Sequence, residues 1–197
     1  MSKEDSRLKE YRRKRDMSST PEPFHQEAER SGHPVFVIQK HHARNLHYDF
    51  RLEDEGVLKS WAVPKGPSTN PSEKRLAIAT EDHPLTYASF EGIIPEGNYG
   101  AGTVLVWDQG TYENTTEEKG TPIRLSEGVD QGRITFHLQG QKLTGGYALI
   151  RTGQSQGKHW LLVKMTDRHA DAERDPVDTE PKSVLTGRTL EEIQDQA

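Results

Sequence analysis

Apolar residues recur at every second position over much of the chain. Ile134, Phe136 and Leu138 alternate with Arg133, Thr135 and His137, and Leu46, Tyr48, Phe50 and Leu52 alternate with His47, Asp49 and Arg51. A period of two is that of a pleated strand, whose successive side chains leave opposite faces. On this pattern, with Gly, Pro, Asn or Asp at the boundaries, strands are predicted over 34–39, 46–52, 58–63, 75–80, 103–108, 111–113, 133–138, 146–151 and 160–165. Asp54-Glu55-Gly56 and Asp108-Gln109-Gly110 read as hairpin turns. Short strands with few helical windows predict a mainly β fold: a compact antiparallel β-barrel of about eight strands with short flanking helices and extended termini.

The ends carry a weaker pattern. Residues 3–15 have Leu8 and Tyr11 as their only apolar anchors and read as a short polar helix or a solvated basic arm. Pro21 and Pro23 end any helix there. The acidic stretch 168–181 reads as loop or disorder, and Thr189 with Glu192 three residues on can cap one helical turn. The expected division is a basic arm over 1–30, a barrel over 31–166 and an acidic tail, able to form a short helix, over 167–197.

Composition narrows the class. A chain of 197 residues suits one domain with extensions. Its 31% hydrophobic and 29% charged residues, with a mean hydropathy of −0.90, imply a modest core. No apolar run approaches the roughly 18 residues that span a bilayer, and the N-terminus has no signal-peptide core, so a soluble, cytoplasmic protein with no membrane partner is expected. The absence of cysteine removes disulfides and thiolate ligands, leaving His, Asp or Glu for any metal. A net charge of −5 argues against a protein that coats nucleic acid through bulk charge. The charge is uneven, however: residues 1–15 hold seven Lys or Arg against three acids, and residues 167–197 hold four against nine.

The chemistry concentrates in 39–51, which packs three histidines, a carboxylate and two arginines into thirteen residues. On an extended backbone His47, Asp49 and Arg51 share one face, and His41 has the parity to join them if 43–45 bends. Two imidazoles and a carboxylate suit Mn, Zn, Fe, Co or Ni better than Mg or Ca, and three protein ligands leave positions open for catalysis. The same face also reads as plain solvated surface. Glu81-Asp82-His83-Pro84 with Tyr87 can present an imidazole and a phenol to an anion, or form a polar turn. Arg51, Lys65 and Arg75 suit phosphate oxygens if the fold gathers them. The loop Pro95-Glu96-Gly97-Asn98-Tyr99-Gly100-Ala101-Gly102 lacks a following Gly-Lys-Ser/Thr and a helix, and reads as a structural turn. There is no Lys-x-Asp-Gly, His-Glu-x-x-His or Gly-x-Ser-x-Gly.

Longer motifs carry a resemblance. Phe36 to Leu52 (FVIQKHHARNLHYDFRL), Gly56 to Pro67 (GVLKSWAVPKGP), Glu81-Asp82-His83-Pro84 with Tyr87, Phe90 to Gly100, and Ser183 to Ile193 together resemble the 3'-phosphoesterase domain of bacterial DNA ligase D and its free-standing relatives. The resemblance covers about Leu8 to Ile193. It implies a β-barrel that uses a divalent metal, manganese first with Co2+, Zn2+ or another divalent transition metal as alternatives. The implied activity heals DNA 3' ends in nonhomologous end joining. A terminal ribonucleoside is removed from a primer-template, then the remaining 3'-phosphate is hydrolysed to 3'-OH.

By motif, His41, His47 and Asp49 would hold the metal; strand parity favours His41 over His42. Arg51, His83 and Tyr87 would act on the phosphate, with Gln39, Lys65 and Arg75 also binding it. Glu81, Arg15, Asp16 and Glu22 would complete the catalytic set, which turns the arm from a solvated terminus into part of the site. No polymerase or ligase segment accompanies the motifs, so the chain is expected to work alone or with a separate DNA ligase, polymerase or the end-binding protein Ku, nucleoid-associated during repair. Two rival readings use the same residues. One is a non-catalytic module that binds DNA ends and recruits a ligase; the other is a non-haem iron oxygenase whose facial triad joins His47 and Asp49 to His137 or His159.

Overall fold

A computed structural model describes residues 6–24 and 32–196. The remainder of the expected arm, 1–5 and 25–30, lies outside the described residues. Helix α1 is Lys9–Arg13. Twelve strands follow: β1 Val35–His42, β2 Leu46–Asp54, β3 Val57–Val63, β4 Lys74–Ala79, β5 His83–Pro84, β6 Gly92–Ile94, β7 Gly102–Asn114, β8 Glu117–Glu118, β9 Thr121–Pro122, β10 Arg133–Gly140, β11 Thr144–Arg151 and β12 His159–Lys164. Helix α2, Leu125–Gln131, precedes β10, and α3, Pro176–Thr179, and α4, Leu190–Gln194, lie in the tail.

Eight strands close an antiparallel barrel in the order β1, β2, β3, β4, β12, β11, β10, β7, with β7 returning to β1. Strand β6 adds to β7 and β5 to β3. Alternation sends one set of side chains inward: Phe36 and Ile38, Tyr48, Phe50 and Leu52, Trp61 and Val63, Leu105 and Trp107, Ile134, Phe136 and Leu138 all join the main core. Leu46, on the same parity, sits at a strand end and is exposed.

The Asp54-Glu55-Gly56 turn forms as read, with Glu55 and Gly56 both in the left-handed region that a tight hairpin demands. Asp108-Gln109-Gly110 does not turn. Strand β7 runs straight through it for thirteen residues, merging the two predicted strands. The Asp108 carboxylate is buried and accepts backbone N–H groups from Gln141, Lys142 and Leu143, so it braces the β10–β11 turn. Gly110 serves close approach rather than reversal, because a Cβ there would lie 2.0 Å from the Gln139 carbonyl oxygen. The pairing of β1 with β7 slips between Ile38 and Gln39, a bulge that bends the wall.

The outer face of β1, β3 and β7 is covered too. Val37, Leu58 and Val106 point outward and pack under Tyr11 and Phe24 of the arm and Leu85 and Tyr87 of the following segment, forming a second small core. Leu8 and Tyr11 are both buried, so their spacing marks a docked helix rather than a solvated one.

Of the two readings of 168–181, loop or disorder, the loop is found, with a single helical turn and hydrogen bonds to the barrel. The Thr69 hydroxyl donates to the carbonyls of Asp171 and Arg174, the Trp107 indole donates to that of Glu180, and Ser183 donates to Glu91. Helix α4 carries the expected reciprocal cap between Thr189 and Glu192. No described helix is long and apolar enough to cross a membrane.

Candidate active site

Strand register sets the first wall of the site. In the β1–β2 ladder Gln39 faces Asp49, His41 faces His47 and Val37 faces Arg51, while β3 places Ser60 opposite Arg51. These side chains stand on the outside of the barrel, the polar counterpart of the inward set. His42 points away and is exposed, so parity selects His41.

One donor atom from each of His41, His47 and Asp49 lies within 4.8 Å of the others. His47 Nδ1 is 3.0 Å from the Asn45 carbonyl oxygen, and His41 Nε2 is 2.8 Å from that of Gly100. A carbonyl only accepts, so each of these nitrogens carries the ring proton and the other nitrogen keeps its lone pair. Those free nitrogens, His47 Nε2 and His41 Nδ1, lie 3.6 and 3.4 Å from the two oxygens of Asp49. Three lone-pair donors facing one space repel unless a cation sits between them, and backbone carbonyls orient both rings as metal-bound imidazoles are oriented. The donor set therefore fits a divalent transition metal. Burial works against charge on His47, but the neighbouring Asp49 carboxylate, which favours the protonated ring, outweighs it and raises its pKa. Burial would lift the Asp49 carboxyl; the Arg51 charge and the two histidines hold it well below the usual range.

Arg51 is buried and tightly held. Its Nε donates to Gln39 Oε1, one terminal nitrogen donates to Ser60 Oγ, and the other lies 3.3 Å from Asp49. The Gln39 amide in turn donates to the carbonyls of Tyr87 and Phe90, tying the strand wall to the covering segment.

The second wall is made of charges from the arm and from 81–87. Arg15 reaches Glu22 at 2.9 Å, Glu81 at 3.0 Å and the Nε2 atom of His83 at 3.3 Å. His83 Nδ1 donates to the Glu81 carbonyl, so Nε2 accepts from Arg15 and the ring is neutral. Burial, then the charges of Arg51 and Arg15, push its pKa well below the ordinary value. The Tyr87 hydroxyl donates to Glu22, and burial followed by the Glu22 charge raises its pKa.

A cleft of about 300 Å³ lies between the walls, lined by Arg15, His41, His47, Asp49, Arg51, Glu81, His83 and Tyr87 together with Ala43, Ala62, Thr80, Ile94, Tyr99 and Gly100. Glu22 and Gln39 stand behind it as buried props. The structure does not bring Lys65, Arg75 or Asp16 to the cleft. Lys65 is exposed, Arg75 pairs with Glu73 and the Lys65 carbonyl, and Asp16 accepts from Ser18 in a surface turn. His137 lies beside His169 and His159 beside Ser155, so neither completes the facial triad of the oxygenase reading.

Sequence reasoning missed Ser60, Thr80 and the 95–101 loop, which was read as merely structural yet supplies Tyr99, Gly100 and the carbonyl that orients His41. Gly100 has a φ of +75°, a backbone demand that the glycine-rich sequence could have signalled. The arm's cations also point inward: Arg7 pairs with Asp54 and Asp82, and Lys14 with Glu81.

Residues 39–151 match the family model of the DNA ligase D 3'-phosphoesterase domain. The chain is 47% identical over 188 residues to the multifunctional non-homologous end joining protein LigD of Pseudomonas aeruginosa, covering 93% of this chain and 22% of that protein. It is 49% identical over 164 residues to the LigD protein of Mycolicibacterium smegmatis, covering 82% and 21%. Against the LigD DNA repair protein of Mycobacterium tuberculosis it is 50% identical over 163 residues, covering 82% and 20%. The chain thus spans about a fifth of the length of these relatives.

Proposed function

Since the chain belongs to the DNA ligase D 3'-phosphoesterase domain family, we propose that it heals DNA 3' ends for end joining, removing a terminal ribonucleoside and then the 3'-phosphate to leave 3'-OH. The observation that carries this reading is the Asp49 carboxylate, shared between a two-histidine donor set and the Arg51 guanidinium. Such sharing puts a metal position and an anion-binding fork within a few ångströms of each other, as phosphate chemistry requires.

His41, His47 and Asp49 would hold a divalent transition metal, manganese the first choice, which would supply Lewis-acid polarisation of a phosphate oxygen. Arg51 binds a second non-bridging oxygen with the N–H groups that Gln39 and Ser60 leave free. Fixed by those partners, it needs no reorganisation as charge grows. Neutral His83 receives a proton when a phosphate enters, because the anion offsets the two guanidinium charges that suppress its basicity. It then gives that proton to the departing oxygen, the ribonucleoside's 5' oxygen in the first step and the 3' oxygen in the second, as water attacks phosphorus, the P–O bond breaks and the water's proton stays with the phosphate product. Glu22 and Glu81 hold Arg15 against His83 and so position the imidazole.

The test uses purified protein with Mn2+ on two primer-templates, one ending in a single ribonucleotide and one in a 3'-phosphate. Stepwise trimming of the first and phosphate release from the second are expected, both lost in His83→Ala. Binding of ends without either product would favour the recruiting module instead. Turnover that depends on 2-oxoglutarate and Fe2+ would favour the oxygenase.

A further inference from the structure

The site above accounts for a phosphate but not for the nucleotide that carries it. Two of the large apolar side chains that remain exposed, Tyr99 at 47% and Met17 at 62%, lie on segments that meet at the cleft mouth. The Ser19 hydroxyl donates to Asn98 Oδ1 at 2.6 Å, and the Asn98 amide donates to the Ser19 carbonyl at 3.2 Å. This two-point latch pins the arm turn holding Met17 to the loop holding Tyr99. The Tyr99 ring also has cations against it, Lys14 Nζ at 4.7 Å and the Arg15 guanidinium carbon at 5.2 Å from its centroid. The residue nevertheless stays exposed beside them. Ala43 and Ile94 continue an apolar lining inward, and Gly100, next in sequence, orients His41.

Burial decides what this rim is for. Arg51 and His83 lie at the buried end of the cleft and Tyr99 at its exposed end. A terminal phosphate held against Arg51 and His83 brings its sugar and base outward to the Tyr99 rim. We infer that Tyr99 is the stacking platform for the nucleobase of the 3'-terminal nucleotide, with Met17 flanking it. This rests on the reading of the site as a 3'-end phosphoesterase and names the part of the substrate that reading leaves unassigned. Stacking uses the π-face that every base has, so the rim grips all four bases. The cations against the ring place positive charge close to the backbone phosphates of the same strand.

The probe is an oligonucleotide whose 3'-terminal base is 2-aminopurine and whose terminal phosphate is a non-hydrolysable methylenephosphonate, titrated with full-length protein and Mn2+. Stacking on Tyr99 quenches the probe. Tyr99→Ala should abolish the quench and weaken binding about ten-fold, whereas Tyr99→Trp should keep both. An abasic 3' terminus should weaken binding to the wild type by a similar factor and cost Tyr99→Ala nothing more. On a cleavable 3'-phosphate the loss in Tyr99→Ala should appear in KM rather than kcat. A full quench with Tyr99→Ala, or an abasic end bound as tightly as a normal one, overturns the inference. Failure of the wild type to release phosphate would instead overturn the enzymatic reading, since the quench is measured without turnover.

Discussion

On one wall of the cleft, His41, His47, Asp49 and Arg51 hang from paired strands whose ladder hydrogen bonds fix their spacing. On the other, Arg15, Glu22 and Glu81 come from an arm and a connecting segment whose polar contacts are largely their own charges, and only His83 sits on a short strand paired to β3. The first wall keeps its geometry when one side chain is removed, because backbone pairing does the placing. The second has its geometry only while its members are complete. A buried guanidinium between two buried carboxylates is held by mutual compensation, and losing one partner strands the others.

The largest expected effect sharpens that contrast. His47→Ala and Asp49→Ala should lose Mn2+ binding by calorimetry and lower phosphate release beyond the ~10–100-fold that loss of a ligand's outer partner costs. Their circular dichroism and thermal midpoints should stay near those of the parent. Phosphate release within ten-fold of the parent would remove the strand wall from the chemistry.

Next comes Arg15→Ala, which leaves buried Glu22 without its cation and Glu81 with Lys14 alone, at a cost of about 3–5 kcal/mol. The arm should detach while the barrel persists, giving new protease cleavage within 6–24 and a loss of activity that Arg15→Lys restores only partly, since an ammonium cannot fork. An arm as protected as before would show that Tyr11 and Phe24 alone hold it.

Gln39→Leu should be milder, lowering stability by roughly 1–3 kcal/mol because the Arg51 Nε–H and the Phe90 carbonyl lose their Gln39 partner, with kcat falling as Arg51 loosens. An unchanged melting profile would show that this tie contributes little.

The smallest effect is linkage to pH in metal-free protein. His83 resists protonation when folded, so as pH drops below about 6.5 the unfolded chain takes up a proton the native chain refuses, and stability falls. His47 has the opposite sign: its raised pKa adds stability that is fully present below about 6.5 and is lost as pH rises through the folded value. Thermal midpoints of His83→Asn between pH 7 and 5 should therefore fall less on acidification than those of the parent, and those of His47→Asn should fall more. Identical slopes would show that neither imidazole is set apart by its surroundings.

The same contrast explains what the sequence disclosed. Alternation in 46–52 and 133–138 disclosed the barrel and the shared face of His47, Asp49 and Arg51, because period-two spacing is itself the geometry. Asp108-Gln109-Gly110 misled because a carboxylate that braces a distant turn looks locally like one that makes a turn. Residue types suited Lys65 and Arg75 to phosphate, but the turn after β3 and the start of β4 carry them elsewhere. Glu22 and Arg15 showed nothing in periodicity; only motif resemblance pointed to them, since the partners that bring them to the site, Tyr87 and Glu81, are distant in the chain.

The donor cluster hangs on the exterior of the staves, with the hydrophobic filling on their reverse. Each stave residue therefore answers to one side only, so chemistry and foldability occupy separate registers of the same strands. A lineage could exchange its reactive groups by odd-numbered substitutions in β2 without repacking Tyr48, Phe50 or Leu52, and could harden the interior without retuning the reaction. For the engineer, the scaffold offers a writable surface laid over a fixed support.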